Sequence, residues 1–213
     1  MRIMLTLAAT ALFALPASAQ RASDPDRDVA GGGTLPAGWS ARVDRDRPFA
    51  NVKFAPMGNG LHVTTGPAVI LWRNADKAAG TQHIVATFTQ VTSPQHPEAY
   101  GLFFAGNDLE GAGQSYVYFL VRKDGKFLIK KRQGAETANV TEGWTDNAAV
   151  VKEDANGKAT NKLEIAVAAD KVTFSVNGKV VHTMAGGGTD GIAGLRINHN
   201  LDVHVDGFAV HKM

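Results

Sequence analysis

Beyond residue 60 apolar and polar side chains alternate with a period of two in short stretches. No window places apolar residues at i, i+3, i+4 and i+7 over several turns, so strands are predicted and helices are not. The strongest stretch is Tyr116-Val117-Tyr118-Phe119-Leu120-Val121, followed by Lys123-Asp124-Gly125-Lys126 and then Phe127-Leu128-Ile129. Asp-Gly between two apolar runs predicts a hairpin, because glycine tolerates the positive φ such turns need. A bulged turn there would exchange which of Leu128 and Ile129 points inward. The first run is apolar on both faces, which predicts a central strand with core on one side and a groove or second layer on the other. Leu163, Ile165 and Val167 alternate inward, Val172, Phe174 and Val176 do the same across Ala169-Asp170, and Asn177-Gly178 turns the chain into Val180-Val181. Further strands are expected at 61–65, 69–73, 83–91, 100–105, 194–198 and 201–210. In the last, Leu201, Val203 and Val205 sit at odd positions and Phe208 and Val210 at even ones, so a β-bulge is expected at Gly207. Many short strands with Gly, Asp and Asn turns and no covering helix predict an all-β fold, a two-sheet antiparallel jelly-roll sandwich. No internal repeat at a fixed period points to a propeller or solenoid.

The chain ends modify this picture. Arg2 precedes an apolar run from Ile3 to Leu15, and Pro16 leads into Ala17-Ser18-Ala19. This reads as a secretory signal over 1–19 with an A-x-A cleavage site, too short to span a bilayer. Residues 20–37 are polar and include Gly31-Gly32-Gly33, which predicts a flexible leader ahead of a single β-sandwich domain at 38–213. The expected location is periplasmic or secreted, with no membrane insertion. Cysteine is absent, so disulfides cannot support the exported fold, and a chain of this size does not require them. The formal net charge is only +2 and the charges are interleaved, apart from Arg122, Lys123, Lys126, Lys130, Lys131 and Arg132. Such a balance gives no field for nucleic acid, which is not expected as a partner.

Several segments carry a family resemblance: Tyr100-Gly101-Leu102-Phe103-Phe104, Tyr116 to Leu120, Val172-Thr173-Phe174-Ser175-Val176-Asn177-Gly178-Lys179, Gly191-Ile192-Ala193-Gly194-Leu195, and Val205-Asp206-Gly207-Phe208-Ala209-Val210. From about Leu61 onward the chain resembles the concanavalin A-like lectin/glucanase superfamily, most closely its laminin-G-like members and the bacterial domains named after keto-disaccharide hydrolysis. The shared signatures are structural: a turn at Asn177-Gly178, tight strand entry at Gly191 and Gly194, and core packing by Phe208. The resemblance implies a concanavalin A-like sandwich. It also implies a carbohydrate or glycan partner on the concave sheet, with hydrolysis in some members. The E-x-D-x-x-E strand of family-sixteen glucanases has no counterpart here, and neither does the Glu, Asp, Asn and His set that holds calcium and manganese in legume lectins.

Retaining glycoside hydrolysis needs two carboxyl groups ~5.5 Å apart, as at i and i+2 on one strand. Asp108 with Glu110 and Asp44 with Asp46 have that spacing, both in polar contexts that suit ordinary solvated carboxylates. His199, Asp202 and His204 form the one local histidine cluster, but His199 and His204 differ in parity, so no metal site is expected. A structural calcium at Asp202 or Asp206 is the sole cofactor considered, and Asp206 beside Gly207 is better explained as a bulge residue. Sugar binding demands less: aromatic faces for the C–H side of a pyranose, and planar polar groups for hydroxyls. The candidate ligand-binding residues are Trp72, Arg73, Asn107, Tyr116, Tyr118, Arg196, Asn198 and His199, with Tyr100 and Trp144 as further aromatics. For Trp72, inside Val69-Ile70-Leu71-Trp72, core packing is an equal reading. Three functions follow: a non-catalytic lectin-like domain, a glycoside hydrolase or lyase acting on a saccharide or keto-sugar, and a laminin-G-like protein-interaction module.

Overall fold

The computed structural model describes residues 24–30, 32, 34–44 and 49–213; the predicted signal segment lies outside them. After β1 (Trp39–Val43) and a short 3-10 turn at Phe49–Asn51, the chain forms β2 (Val52–Met57), β3 (Gly60–Thr65), β4 (Val69–Ala78), β5 (Gln82–Gln90), β6 (Ala99–Asn107), β7 (Ser115–Arg122) and β8 (Lys126–Gln133). It continues as β9 (Glu136–Asn139), β10 (Thr145–Asp146), β11 (Ala159–Val167), β12 (Lys171–Val176), β13 (Lys179–Ala185), β14 (Gly191–Ile197) and β15 (Asp202–Lys212). These make two open antiparallel sheets. One has eight strands in the order β1-β4-β14-β6-β7-β8-β10, with β9 also on β8; the other has seven in the order β13-β12-β11-β5-β15-β3-β2.

Period-two burial drives the assembly. β5 and β11 alternate buried and solvated positions along nearly their whole length. Ile84, Ala86, Phe88, Leu163, Ile165, Val172, Phe174, Val203 and Val205 of one sheet meet Leu71, Leu102, Phe104, Leu195, Ile197, Phe119, Val121, Phe127 and Ile129 of the other in one core. Burying side chains of this size contributes roughly 1.5–3 kcal/mol each before conformational entropy is set against it.

The turns take the forms the sequence asked for. Asn177 and Gly178 have φ of 50° and 77°, the two left-handed positions of a type I′ hairpin turn. The Asp-Gly hairpin has the bulged form: Arg122 pairs with Lys126, Gly125 takes φ of 85°, and Phe127 and Ile129 enter the core while Leu128 faces outward. The pairing of β15 with β5 shifts between Asp206 and Ala209, with Gly207 at φ of 62°, so the bulge lies where the parity change placed it.

Residues 24–28, within the predicted leader, are docked on the sandwich. The Arg27 guanidinium donates to the carbonyls of Thr65 and Leu201, and its backbone N–H donates to Asn200 Oδ1.

Candidate functional site

The strand register places a defined set of side chains on the outer face of the eight-stranded sheet. Arg42, Ile70, Arg196, Gly101, Leu120 and Leu128 lie in one row across β1, β4, β14, β6, β7 and β8. The next row carries Ser40, Trp72, Gly194, Phe103, Tyr118 and Lys130. Tyr116 and its cross-strand partner Arg132 follow at the β6–β8 end. Ile70, Trp72, Phe103, Leu109, Tyr116, Tyr118 and Leu120 pack as a second apolar cluster, joined by Trp144 and Ile192. Gly194 is needed under it: a Cβ there would lie 2.3 Å from the Leu71 carbonyl oxygen and 2.5 Å from the Phe103 ring.

At the centre of this face a guanidinium is almost completely enclosed. Arg196 is 6% exposed. It donates Nη2 to Asp44 Oδ2 at 2.6 Å, and Nη1 to both Asp44 Oδ1 and the Tyr116 hydroxyl at 3.2 Å. Its guanidinium carbon lies 5.2 Å from the centroid of the Tyr118 ring. Burial works against its charge, but the adjacent Asp44 carboxylate and the tyrosines outweigh that cost and hold its pKa above the ordinary arginine value. Burial pushes the Tyr118 hydroxyl upward, with Arg196 opposing. Arg132 approaches the same carboxylate, Nη2 at 3.7 Å from Asp44 Oδ2, and lies 6.0 Å from the Tyr116 ring centroid.

The centre of the face is closed. Trp72 is 1% and Phe103 0% exposed, so neither presents a free ring to a solute. One cover is the loop between β6 and β7, whose Leu109 is buried against the cluster. Arg42 Nη1 pins that loop through the carbonyls of Leu109 and Gly111. The face opens at its β6–β8 end, where a cavity of about 460 Å³ lies across the strand ends and reaches between the sheets. Phe104, Val117 and Met184 give it an apolar floor, and Tyr116, Arg132, Asn107, Ser115, Glu136 and Thr189 are among its polar lining. The backbone is unusual beside it: Ala105, another lining residue, holds φ of 55° at the irregularity where β6 shifts register against β7. A left-handed non-glycine residue costs on the order of 1 kcal/mol and persists where the surroundings over-determine it.

The sequence candidates are thus divided. Trp72, Tyr116, Tyr118 and Arg196 share the outer face, and Tyr116 reaches the cavity. Asn107 lines the cavity from the end of β6, its Nδ2 donating to the Ala105 carbonyl at 3.1 Å. Arg73 points to the opposite side of β4 from Trp72. It pairs with Asp76 at 2.6 Å and sits between the rings of Trp39 and Phe208, 5.1 Å from each centroid. Asn198 and His199 lie at the far end of β14, where Asn198 donates to Glu98, and His199 meets Glu98 at 2.8 Å and Asp26 at 3.1 Å. The hydrogen bond to Glu98 leads the interactions that raise the His199 pKa. Tyr100 is a core residue: its hydroxyl accepts from Asn161 Nδ2 at 3.3 Å, and burial pushes its pKa to about 12. Trp144 stacks with Arg122, whose guanidinium carbon is 4.4 Å from the ring centroid.

The carboxylates also fall into place. Asp108 organises its own turn, accepting from Gly113 N–H at 3.0 Å with φ of 47°. It and Glu110 belong to no strand, so the i, i+2 same-face argument does not apply to them. Asp44 is tied to Arg196; Asp46 lies outside the described residues. Asp202 faces His62 at 2.5 Å and Asp206 faces His204 at 2.9 Å. Among the described residues, the acidic and histidine side chains that converge closely enough to share one ion are Asp24, Glu98 and His199, so neither Asp202 nor Asp206 gathers a calcium-like set. Sequence reasoning missed Asp44 as the partner of Arg196 and Arg132 as the second guanidinium near that carboxylate. The run of basic residues around Arg132 was visible, but its alignment beside Tyr116 depends on the register of β7 with β8.

Two open antiparallel sheets enclosing one core, with a partly roofed outer face on the larger, make a jelly-roll sandwich. No family model matches the chain, and no curated protein matches it. Among solved structures it is similar to the carbohydrate-binding module CBM66 from Bacillus subtilis, at TM-score 0.58 and 12% identity over 82% of this chain and 96% of that one. It is also similar to the Bacillus licheniformis beta-glucanase, at TM-score 0.55 and 8% identity over 85% and 95%. A third is the exoplasmic/lumenal domain of VIP36 in its Ca2+/Man3GlcNAc-bound form, at TM-score 0.56 and 6% identity over 83% and 84%.

Proposed function

We propose that this protein is an exported, non-catalytic glycan-binding module whose ligand enters the cavity at the β6–β8 end of the larger sheet and extends along the exposed Asn107 and Gln133 at its rim. The observation that carries the reading is the make-up of that cavity. Its apolar floor of Phe104, Val117 and Met184 under a rim of Asn107, Ser115, Gln133, Thr137 and Thr189 matches the two-sided chemistry of a sugar ring. CBM66 and the VIP36 domain, which share the architecture, are by name and bound ligand carbohydrate binders. Binding without turnover is favoured because glycoside hydrolysis needs a carboxyl pair, and the residues lining the cavity include one carboxylate, Glu136. Export rests on the Arg2 to Ala19 signal pattern, which predicts a mature N-terminus near Gln20 and a periplasmic or secreted protein.

A glycan array followed by calorimetry tests this. Retention of at least one oligosaccharide, weakened about tenfold by the paired Asn107→Ala and Gln133→Ala substitutions in a variant that keeps its near-UV circular dichroism, is the expected result. A folded wild-type protein that retains no glycan sinks the reading, and steady release of reducing sugar replaces it with a hydrolase. N-terminal sequencing of the exported product checks the cleavage site.

A further inference from the structure

The outer face of the larger sheet is filled by the protein itself. Ile70, Trp72, Phe103, Tyr116, Tyr118 and Leu120 are all buried there. Leu109 is packed on them, with Arg42 holding its loop by two carbonyls, and Trp144 and Ile192 join the same cluster. A saccharide chain has no open trough across that centre. The cavity is differently built. Its strands all contribute from one pole: the ends of β6, β8 and β13 and the starts of β7 and β9. Its inner limit is the core, since Phe104 is fully buried with its ring 6.1 Å from that of Phe174, and Val117 and Met184 pack on the same core. Asn107 Nδ2 donates to the Asp190 carbonyl at 3.4 Å, which ties the end of β6 to the loop carrying Gly187, Gly188 and Thr189 along one flank. The mouth lies past the strand ends, where Asn107, Gln133, Glu136 and Thr137 are exposed.

A ring in the middle of a glycan needs an exit for the chain on both of its sides. A cavity whose far end is packed core supplies one. An internal ring would also carry two linkages and their neighbouring hydroxyls down between the sheets, where Phe104, Val117 and Met184 offer those hydroxyls no hydrogen-bonding side chain. We propose that this site takes the terminal residue of a glycan end-on and binds no internal stretch of the chain. The terminal ring lays its C–H face on that apolar floor, and its single linkage leads out past Asn107 and Gln133 to solvent. This deepens the glycan-binding reading above and rests on it.

Calorimetry on the wild-type protein with gluco-, manno- and galacto-octasaccharides tests the assignment. Each is used unmodified, reduced to the alditol at its reducing end, and capped with a benzylidene acetal at its non-reducing end. At least one octasaccharide is expected to bind, and at least one of its two modified forms to bind about tenfold more weakly or worse. Smaller losses in both modified forms mean that the middle of the chain is held; they overturn the proposal and leave glycan binding intact. Binding of none of the octasaccharides removes both. Ala138→Trp, at an exposed position lining the cavity, puts an indole in the way and is expected to abolish the binding with the urea midpoint unchanged. Full binding by that variant puts the sugar end elsewhere and also overturns the proposal. The modified octasaccharides decide the matter on the wild-type protein alone, so a variant that does not fold leaves the test standing.

Discussion

On the outer face of the seven-stranded sheet, Thr87, Thr89, Thr160, Lys162, Thr173 and Ser175 stand half-buried or exposed. Two histidine pairs, His62 with His204 and His83 with His211, lie side by side there at 6.2 and 5.9 Å. The corresponding positions of the eight-stranded sheet hold Trp72, Phe103, Tyr116, Tyr118 and a buried Arg196. Both sheets use the same ladders and the same alternation toward the core. The threonines of the first face are half-buried or exposed, so truncating one of them should disturb little else. The aromatic face needs a roof and an internal counter-charge, so its residues depend on one another.

Substitutions sharpen that contrast. Gly194→Ala is expected to cost about 3 kcal/mol, because its methyl group would meet both the Leu71 carbonyl and the Phe103 ring; urea unfolding measures it, and a loss under 1 kcal/mol would mean that the aromatic layer yields. Asp44→Asn should cost about 2 kcal/mol by leaving Arg196 enclosed beside a neutral group, with the 24% exposure of the Asp44 side chain moderating the loss. An unchanged denaturation midpoint would show that the pair has no coupling.

A smaller effect belongs to the end of β14. Glu98, Asp24 and Asp26 all face His199 and raise its pKa above 6.5. A raised folded-state pKa gives stability that is complete below the unfolded value and is lost as pH rises through the folded one. Thermal stability should therefore fall across the neutral range, and Glu98→Gln should flatten that decline; identical pH profiles would contradict it. Smallest is Thr89→Ala, which breaks the exposed 2.9 Å hydrogen bond to Thr160 and is expected to cost no more than about 0.5 kcal/mol. A large loss there would erase the distinction between the two faces.

The core strands were legible because alternation survives in them. β5, β7, β11, β12 and β15 each carry it, and even the bulge at Gly207 could be placed by a change of parity. β1 and β2 were missed for a physical reason. Both are edge strands: β1 is half-buried at every position, and β2 contains Pro56, which a sheet tolerates at its margin. The same alternation put Tyr116, Tyr118, Trp72 and Arg196 on one face. It also separated Trp72 from Arg73, although the sequence alone suggested grouping them. It gave no sign of Asp44, which lies 152 positions from Arg196. The closing of the face by Leu109 and Arg42 was equally hidden, since a loop folding back over a sheet leaves no period in the sequence.

The segment at residues 24–28 is fastened beside Asn200 and Leu201, at the pole where β6 begins, whereas the cavity lies at the pole where β6 ends. The nine residues of β6 put roughly 27 Å between those poles. A domain held by its leading segment would thus turn the mouth of the cavity away from the point of attachment.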